Sequence, residues 1–176
     1  MKNRRYSIQL YTRFKERIDK LDIVHISKKD FYDVLLVTLK ENIKYFNKLG
    51  LGKKYELEKY FAFDSAIYPI EYTELNVRSL IKVFYKQLAE DLTLENLARV
   101  VSSLLDEMLY YELRDFSCPR CDLGILIKQE HDSKNLILVC ETCLWREYEN
   151  GQIYEGIKEL SPVKTSILKE KGFIED

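Results

Sequence analysis

Apolar side chains recur every three or four residues through most of the first 113 positions, which is the spacing of amphipathic helices. Such stripes run through residues 6–22, 28–49, 73–88 and 93–113. At the start of the second stretch, Ser27 and Asp30 have capping-box-like spacing, and Gly50 follows its end, where a left-handed residue often terminates a helix. Thr73 and Thr93 are suitable caps for the last two stretches. The pattern therefore predicts four helices that share one core.

Beyond residue 115 the pattern changes to short strands. Residues 123–128 and 135–139 are rich in Leu, Ile and Val and flank a polar turn, and residues 144–149 follow as another strand. Asn150-Gly151 favours a two-residue hairpin turn, and Ser161-Pro162 predicts the start of a last helix that ends at Gly172. We therefore expect an α+β chain. Its predicted parts are a helical domain (1–115), a ribbon (116–160) and a C-terminal helix (161–176) that packs back on the body.

All the cysteines of the chain lie in this ribbon, as two Cys-x-x-Cys pairs with eighteen residues between them. Two such turns can together supply four thiolates to one Zn²⁺ ion. A shell of four protein sulfurs leaves no open position for water or substrate, so the predicted metal is structural. The predicted ligands are Cys118, Cys121, Cys140 and Cys143.

The pattern Cys-Pro-Arg-Cys followed by Cys-Glu-Thr-Cys, with a hairpin between the pairs, resembles a zinc ribbon. The resemblance implies a bound zinc ion and a small β fold. Ribbons serve as nucleic-acid readers, as protein docking modules and as staples for small segments, so the function stays open. Two alternatives are a pair of disulfides in a secreted protein and a thioredoxin-like redox pair. The polar start of the chain lacks an apolar signal segment, which favours a reducing, cytoplasmic location and hence metal.

Charge divides the chain more sharply than its net value of −1 indicates. Residues 1–60 contain fifteen Lys and Arg against eight Asp and Glu, whereas residues 118–176 contain eight against eleven. An acidic ribbon is a poor surface for phosphate. The basic first helices support a different hypothesis, a nucleic-acid-binding regulator. The residues that would carry it are Arg4, Arg5, Lys40, Lys44 and Lys48.

The sequence contains no recognisable catalytic motif, so we expect a protein that is not an enzyme. The two histidines, His25 and His131, are far apart and lack a partner motif. A nucleophile elbow, a His-Glu-x-x-His helix and a glycine-rich nucleotide loop are all missing from the sequence. Recognition of another molecule is the class of function that remains.

In size, in the acidity of its later segments and in its lack of catalytic motifs, the chain resembles the immunity proteins of bacterial toxin–immunity pairs. That resemblance implies an inhibitor that neutralises a partner, such as a toxin nuclease, by covering its basic active surface. Carboxylates and tyrosines would then form the contact, because acidic groups steer towards a basic target. The predicted contact residues are Tyr68, Glu71, Tyr72, Glu74, Tyr110, Tyr111, Glu112 and Asp115.

Overall fold

A computed structural model describes residues 2–22, 25–72, 76–130, 133, 135–156 and 158–175, and it confirms the α+β class. The chain divides into two compact units. The first unit comprises Met1–Ala66 and Leu75–Met108, and the second comprises Ile67–Glu74 and Leu109–Asp176. No helix among the described residues is long and apolar enough to cross a membrane.

The first unit is helical. Its elements are α1 (Lys2–Ile18), α2 (Lys28–Asn47), α3 (Leu51–Lys54), a 3-10 helix (Leu57–Ala62), α4 (Val77–Glu90) and α5 (Leu94–Leu109, whose last residue is assigned to the second unit). The capping box of α2 is confirmed: the Asp30 N–H donates to Ser27 Oγ at 3.0 Å, and the Ser27 N–H donates to Asp30 Oδ2 at 3.1 Å. Gly50 has a φ of +72°, so the left-handed conformation predicted there is confirmed.

Several helix limits differ from the prediction. Helix α1 spans Lys2–Ile18 and not residues 6–22, and α2 ends at Asn47 and not at residue 49. Asn76 caps α4 by accepting the Ser79 N–H at 2.9 Å, so the helix begins at Val77. The predicted cap Thr73 lies outside the described residues. Thr93 does cap α5, because its Oγ1 accepts the Asn96 N–H at 3.1 Å. That helix ends at Leu109 and not at residue 113 as predicted.

The core of the first unit combines aliphatic side chains with several buried aromatic rings. Phe14 and Phe84 are fully buried, with ring centroids 6.1 Å apart. Tyr60 is also fully buried, and its hydroxyl lies 2.8 Å from Ser102 Oγ and donates to the Ser102 carbonyl at 3.1 Å. These hydrogen bonds satisfy a polar group that would be costly to bury alone.

The second unit is built on an antiparallel sheet. Its elements are a 3-10 helix (Ile70–Tyr72), β1 (Tyr111–Ser117), β2 (Gly124–Glu130), β3 (Leu136–Val139), β4 (Arg146–Tyr148), β5 (Leu160–Pro162) and α6 (Thr165–Glu170). The strand order is β1-β2-β3-β4, and β5 also pairs with β2. The predicted hairpin is therefore confirmed as β2 and β3, with Leu126 opposite Val139.

Two predicted helical segments are strands. Tyr111 and Glu112 pair with Ile127 and Leu126 of β2, so cross-strand pairing replaces the predicted end of the fourth helix. Ser161 and Pro162 belong to β5, where Pro162 lies opposite Lys128, and α6 begins only at Thr165. Proline is tolerated on short edge strands as well as at the start of a helix, so Ser161-Pro162 did not distinguish between these two structures.

The second unit also has a core that includes its last helix. Tyr111, Ile127, Leu136, Val163 and Leu168 form one buried cluster. Gly172, with a φ of +76°, follows α6 as predicted. The three-part division at residues 115 and 160 stays a prediction, although β1 and β5 each cross one of those limits.

The turn after β4 is longer than predicted. The Tyr148 N–H donates to the Gln152 carbonyl at 2.8 Å, and the Gly151 N–H donates to the Tyr148 carbonyl at 3.0 Å. Gly151 alone in this loop has a positive φ, of +85°. This is the three-residue form, a turn closed by a left-handed glycine, and not the two-residue form.

Candidate metal centre

Two loops at one end of the sheet bring the cysteines together. We call residues 118–123 the first knuckle, which joins β1 to β2, and residues 140–145 the second knuckle, which joins β3 to β4. Because β2 and β3 are paired, the start of β2 and the end of β3 lie side by side. The two Cys-x-x-Cys pairs consequently face each other.

The four sulfur atoms all lie within 4.8 Å of one another. Two close separations cross between the knuckles: Sγ of Cys118 lies 3.4 Å from Sγ of Cys143, and Sγ of Cys121 lies 3.5 Å from Sγ of Cys140. A zinc ion with four Zn–S bonds of about 2.3 Å needs sulfurs about 3.8 Å apart. The cluster therefore fits a zinc-ribbon-like site.

The two knuckles repeat the same backbone hydrogen bonds. The Cys118 N–H donates to the Leu123 carbonyl at 2.8 Å, and the Cys140 N–H donates to the Trp145 carbonyl at 2.9 Å. In each knuckle the residue after the second cysteine is left-handed, with a φ of +61° at Asp122 and +59° at Leu144. Each loop thus turns its two sulfurs inward by the same means.

Backbone N–H groups also point at the sulfurs. The Cys143 N–H donates to Cys140 Sγ and, together with Cys121 and the Thr142 N–H, lowers the pKa of Cys140 to about 6 despite its burial. At Cys121 the Leu123 N–H favours the thiolate, but burial and the adjacent thiols outweigh it and raise the pKa to about 12. Burial likewise raises the pKa of Cys143.

These pKa shifts show how strongly negative charge is resisted when several thiols lie together. One sulfur loses its proton readily, while its neighbours resist adding further negative charge beside it. A divalent cation would offset that repulsion, and the N–H groups would share the remaining charge. The donor set therefore suits a soft divalent metal such as zinc.

Apolar residues surround the sulfurs. Cys118 and Cys140 are buried with Ile125, and Leu113 and Trp145 pack against the same cluster. All four cysteines are free thiols in this arrangement, which differs from the two-disulfide alternative. Each knuckle leads into a strand. A thioredoxin-like redox pair instead lies at the start of a helix, which lowers the pKa of its thiol, so the arrangement differs from that alternative too.

Three exposed apolar side chains in or next to the knuckles were not predicted from the sequence. Phe116 is 50% exposed, Leu123 49% and Leu144 69%. Phe116 precedes the first knuckle by two residues, and the two leucines lie within the knuckles. We call these three residues the apolar tip. A signal was present in the sequence, because the position after the second cysteine of a knuckle favours a left-handed residue and leucine is poorly suited to it.

The predicted contact residues lie in varied environments. Tyr111 is only 6% exposed, and its hydroxyl donates to the Phe173 carbonyl at 2.9 Å, so it serves the core of the second unit. Tyr110 is half-buried beneath Lys128, whose Nζ lies 4.5 Å from the ring centroid. Glu112 is half-buried, and its carboxylate lies so close to Gly124 that a Cβ there would clash with it.

The remaining predicted contacts are in residues 67–74 or at the end of β1. Glu71 is exposed, and Tyr72 packs partly against the core of the second unit. Tyr68 is half-buried, and burial raises its pKa. Glu74 lies outside the described residues, as does the side chain of Asp115. The described members of the set do not by themselves define one contact surface.

The residues considered for other roles are the two histidines and the basic residues of the first helices. His25 is exposed, and its Nδ1 lies 2.7 Å from Asp22 Oδ2. His131 lies outside the described residues, as do the side chains of Arg4 and Arg5. Lys40 and Lys44 are exposed on α2, and Lys48 is exposed at its C-cap.

A closed cluster of four cysteines on a β hairpin places the second unit in the class of zinc-ribbon-like sites. Comparisons of the chain with protein-family models, curated proteins and solved structures found no match. The class of the site therefore comes from its geometry alone.

Proposed function

We propose that the second unit is a zinc-stabilised module that binds a partner protein and performs no catalysis itself. Four sulfurs would complete the tetrahedral shell of the ion and leave no position for substrate. The metal would then hold two loops in place, as it does where a segment is too small to form a large core. Recognition falls to the side chains that these loops present.

The observation that carries this proposal is Leu144. A leucine with a positive φ costs about 1–2 kcal/mol relative to an ordinary backbone conformation. The same side chain is 69% exposed, so burial within the chain does little to offset that cost. Strained residues of this kind occur at ligand contacts, and exposed apolar groups anchor protein interfaces. A partner that buries the apolar tip would account for both features.

The finer form of the proposal is a cytoplasmic inhibitor of the immunity type, whose partner carries a basic active surface. The excess of acidic residues over residues 118–176 supports it, as do the exposed carboxylates of Glu71 and Asp122. Such groups accelerate association with a basic protein and set its orientation. The apolar tip would supply affinity once the two surfaces meet.

The test is affinity purification of the full chain from the cells that produce it, with wild type and Leu144→Gly compared in parallel. Glycine adopts a positive φ without strain, so this variant should keep its metal and fold. We expect a partner that is retained by wild type and reduced at least tenfold with Leu144→Gly. Ile153→Gly is a matched control, because Ile153 is 73% exposed and lies outside the knuckles.

Two outcomes would contradict the proposal. One is a partner retained equally by wild type and Leu144→Gly, since the apolar tip would then contribute nothing. The other is the absence of any specific partner from wild type under conditions that preserve the metal. Zinc content and circular dichroism of each variant would show that the comparison is between folded proteins.

A further inference from the structure

A row of three lysines lies on the solvent side of α2 in the first unit, with Lys40 and Lys44 in the helix and Lys48 at its C-cap, where the backbone keeps a helical conformation. Lys40, Lys44 and Lys48 are all exposed, and their spacing of four residues places them on one face of the helix. A helix rises about 1.5 Å per residue, so the row is about 12 Å long. We call these residues the lysine row.

Aromatic rings hold two of these ammonium groups. Lys40 Nζ lies 5.4 Å from the ring centroid of Phe61, and Lys44 Nζ lies 5.3 Å from that of Tyr45. Arg13 of α1 approaches the same tyrosine ring, with its guanidinium carbon 5.9 Å from the centroid. Two cations on one ring concentrate positive charge at this face of the first unit.

In the part of the chain that the structure describes, no carboxylate pairs with these cations. Glu41 is adjacent to Lys40 in sequence, but its Oε2 accepts from Arg17 at 2.6 Å. Within the described residues, the ion pairs leave the three lysines and Arg13 without a carboxylate contact. Like charges four residues apart on a helix destabilise it by a few tenths of a kcal/mol per pair. An anionic ligand would remove that repulsion.

We propose that the lysine row binds the phosphate backbone of double-stranded nucleic acid. A duplex carries one negative charge per about 1.7 Å, so a length of about 12 Å presents about seven phosphates to three ammonium groups. A single strand is the poorer fit because its bases need open aromatic faces on which to stack. Here cations lie over Phe61 and Tyr45. Lysine contacts to phosphate carry no sequence information, so the binding is non-specific.

The test is fluorescence anisotropy with a labelled random-sequence DNA duplex and the full chain. Three phosphate contacts give a slope of about −2.7 for log K against log salt concentration, or about 40-fold weaker binding between 50 and 200 mM salt. The triple variant Lys40→Gln/Lys44→Gln/Lys48→Gln should bind at least tenfold more weakly at 50 mM salt, with a much flatter slope. Its fold should persist, because glutamine is a good helix former and the repulsion is gone.

The matched control is Lys20→Gln/Lys82→Gln/Lys86→Gln, which removes the same charge from exposed positions elsewhere in the first unit. We expect it to bind the duplex within twofold of wild type. Equal loss in the two triple variants would reduce the effect to net charge and overturn the proposal. No binding at 50 mM salt would also overturn it. Tighter binding to a single strand than to the duplex would contradict the proposal as well. If polyglutamate displaced the labelled duplex as effectively as unlabelled duplex does, the preferred ligand would be an acidic protein, and the proposal would fail. A double-stranded RNA arm would identify which duplex is preferred.

Discussion

The first and second knuckles share a backbone but differ in the residue at its most strained position. Asp122 occupies that position in the first knuckle, and its carboxylate accepts from Ser117 Oγ at 2.5 Å. Leu144 occupies it in the second knuckle and extends into solvent. Aspartate tolerates the left-handed conformation far better than leucine does. Asp122 therefore suits the left-handed backbone of the first knuckle, whereas Leu144 is poorly suited to that of the second.

The residue after the second cysteine can be subject to two different requirements: closure of the knuckle around a metal ion, and contact with another molecule. In both knuckles the cysteines, with the backbone N–H groups that point at their sulfurs, offer the same kind of donor set to a metal ion. Only the second knuckle places a bulky apolar side chain where the backbone disfavours it. Metal binding does not require leucine there, because the first knuckle closes with aspartate. In our proposal, a contact with a partner protein accounts for the leucine.

The largest effect should come from breaking the metal shell. We expect Cys140→Ser to lower the zinc content from about one ion per chain to nearly none. Amide protection in the second unit should fall at least 100-fold, which corresponds to about 3 kcal/mol of local stability. The helical first unit should retain most of its protection. Elemental analysis and hydrogen exchange measure the two quantities.

Cys118→Ser in the first knuckle is the paired experiment. Because each knuckle supplies two of the four sulfurs, the two variants should have similar effects. If one variant lost its metal and the other kept it, the knuckles would not contribute equally. Protection lost throughout the first unit in either variant would show that the metal stabilises more than the second unit.

A smaller effect should distinguish the two left-handed positions. Leu144→Gly relieves about 1–2 kcal/mol of backbone strain and adds about 0.5–1 kcal/mol of chain entropy cost, so we expect a gain of about 0.5–1 kcal/mol. For a chain of this length that raises Tm by about 1–4 °C in the metal-loaded protein. Calorimetry of wild type and variant measures the shift.

Asp122→Gly should act in the opposite direction. It removes the hydrogen bond from Ser117 and relieves less strain, so we expect a loss of about 0.5 kcal/mol. A gain of stability in both variants would mean that the backbone strain is similar in the two knuckles. A loss in both would mean that Leu144 is stabilised within the chain, and the case for an external contact would fail.

The smallest effect should appear at the end of β2 opposite the knuckles. Ser133 Oγ donates to Glu130 at 3.0 Å and, with Lys158 and Asn135, lowers the pKa of the Glu130 carboxyl below its ordinary value. A lowered folded-state pKa adds stability above the pKa of the unfolded chain, and that stability is lost as pH falls through the folded value. NMR titration should show the low pKa in wild type and a higher one in Ser133→Ala. An unchanged pKa in Ser133→Ala would exclude that hydrogen bond as the main cause.

The sequence was sufficient to predict features that depend on local spacing. The Cys-x-x-Cys pairs, the hairpin between them and the capping box of α2 each involve residues whose chemistry repeats at fixed short intervals. Their positions follow from periodicity and from the donor groups that a metal or a helix end requires. These features are confirmed in the fold.

Features that depend on distant partners were not predicted. The apolar spacing of α5 continues to Leu113, but Tyr111 and Glu112 pair with β2, and this non-local pairing prevails over the helical pattern. Pro162 is compatible with either a helix start or an edge strand, and its pairing with Lys128 of β2 is what selects the strand. Exposure of the apolar tip likewise depends on what the rest of the chain covers.

The most direct test of the account is X-ray absorption at the zinc edge of the natively purified full chain, combined with metal analysis. The central claim is that four thiolates enclose one structural ion. We predict about one zinc per chain, with four sulfur neighbours at about 2.3 Å and no nitrogen or oxygen neighbour. A shell with three sulfurs and one oxygen, or a metal-free protein with two disulfides, would contradict it.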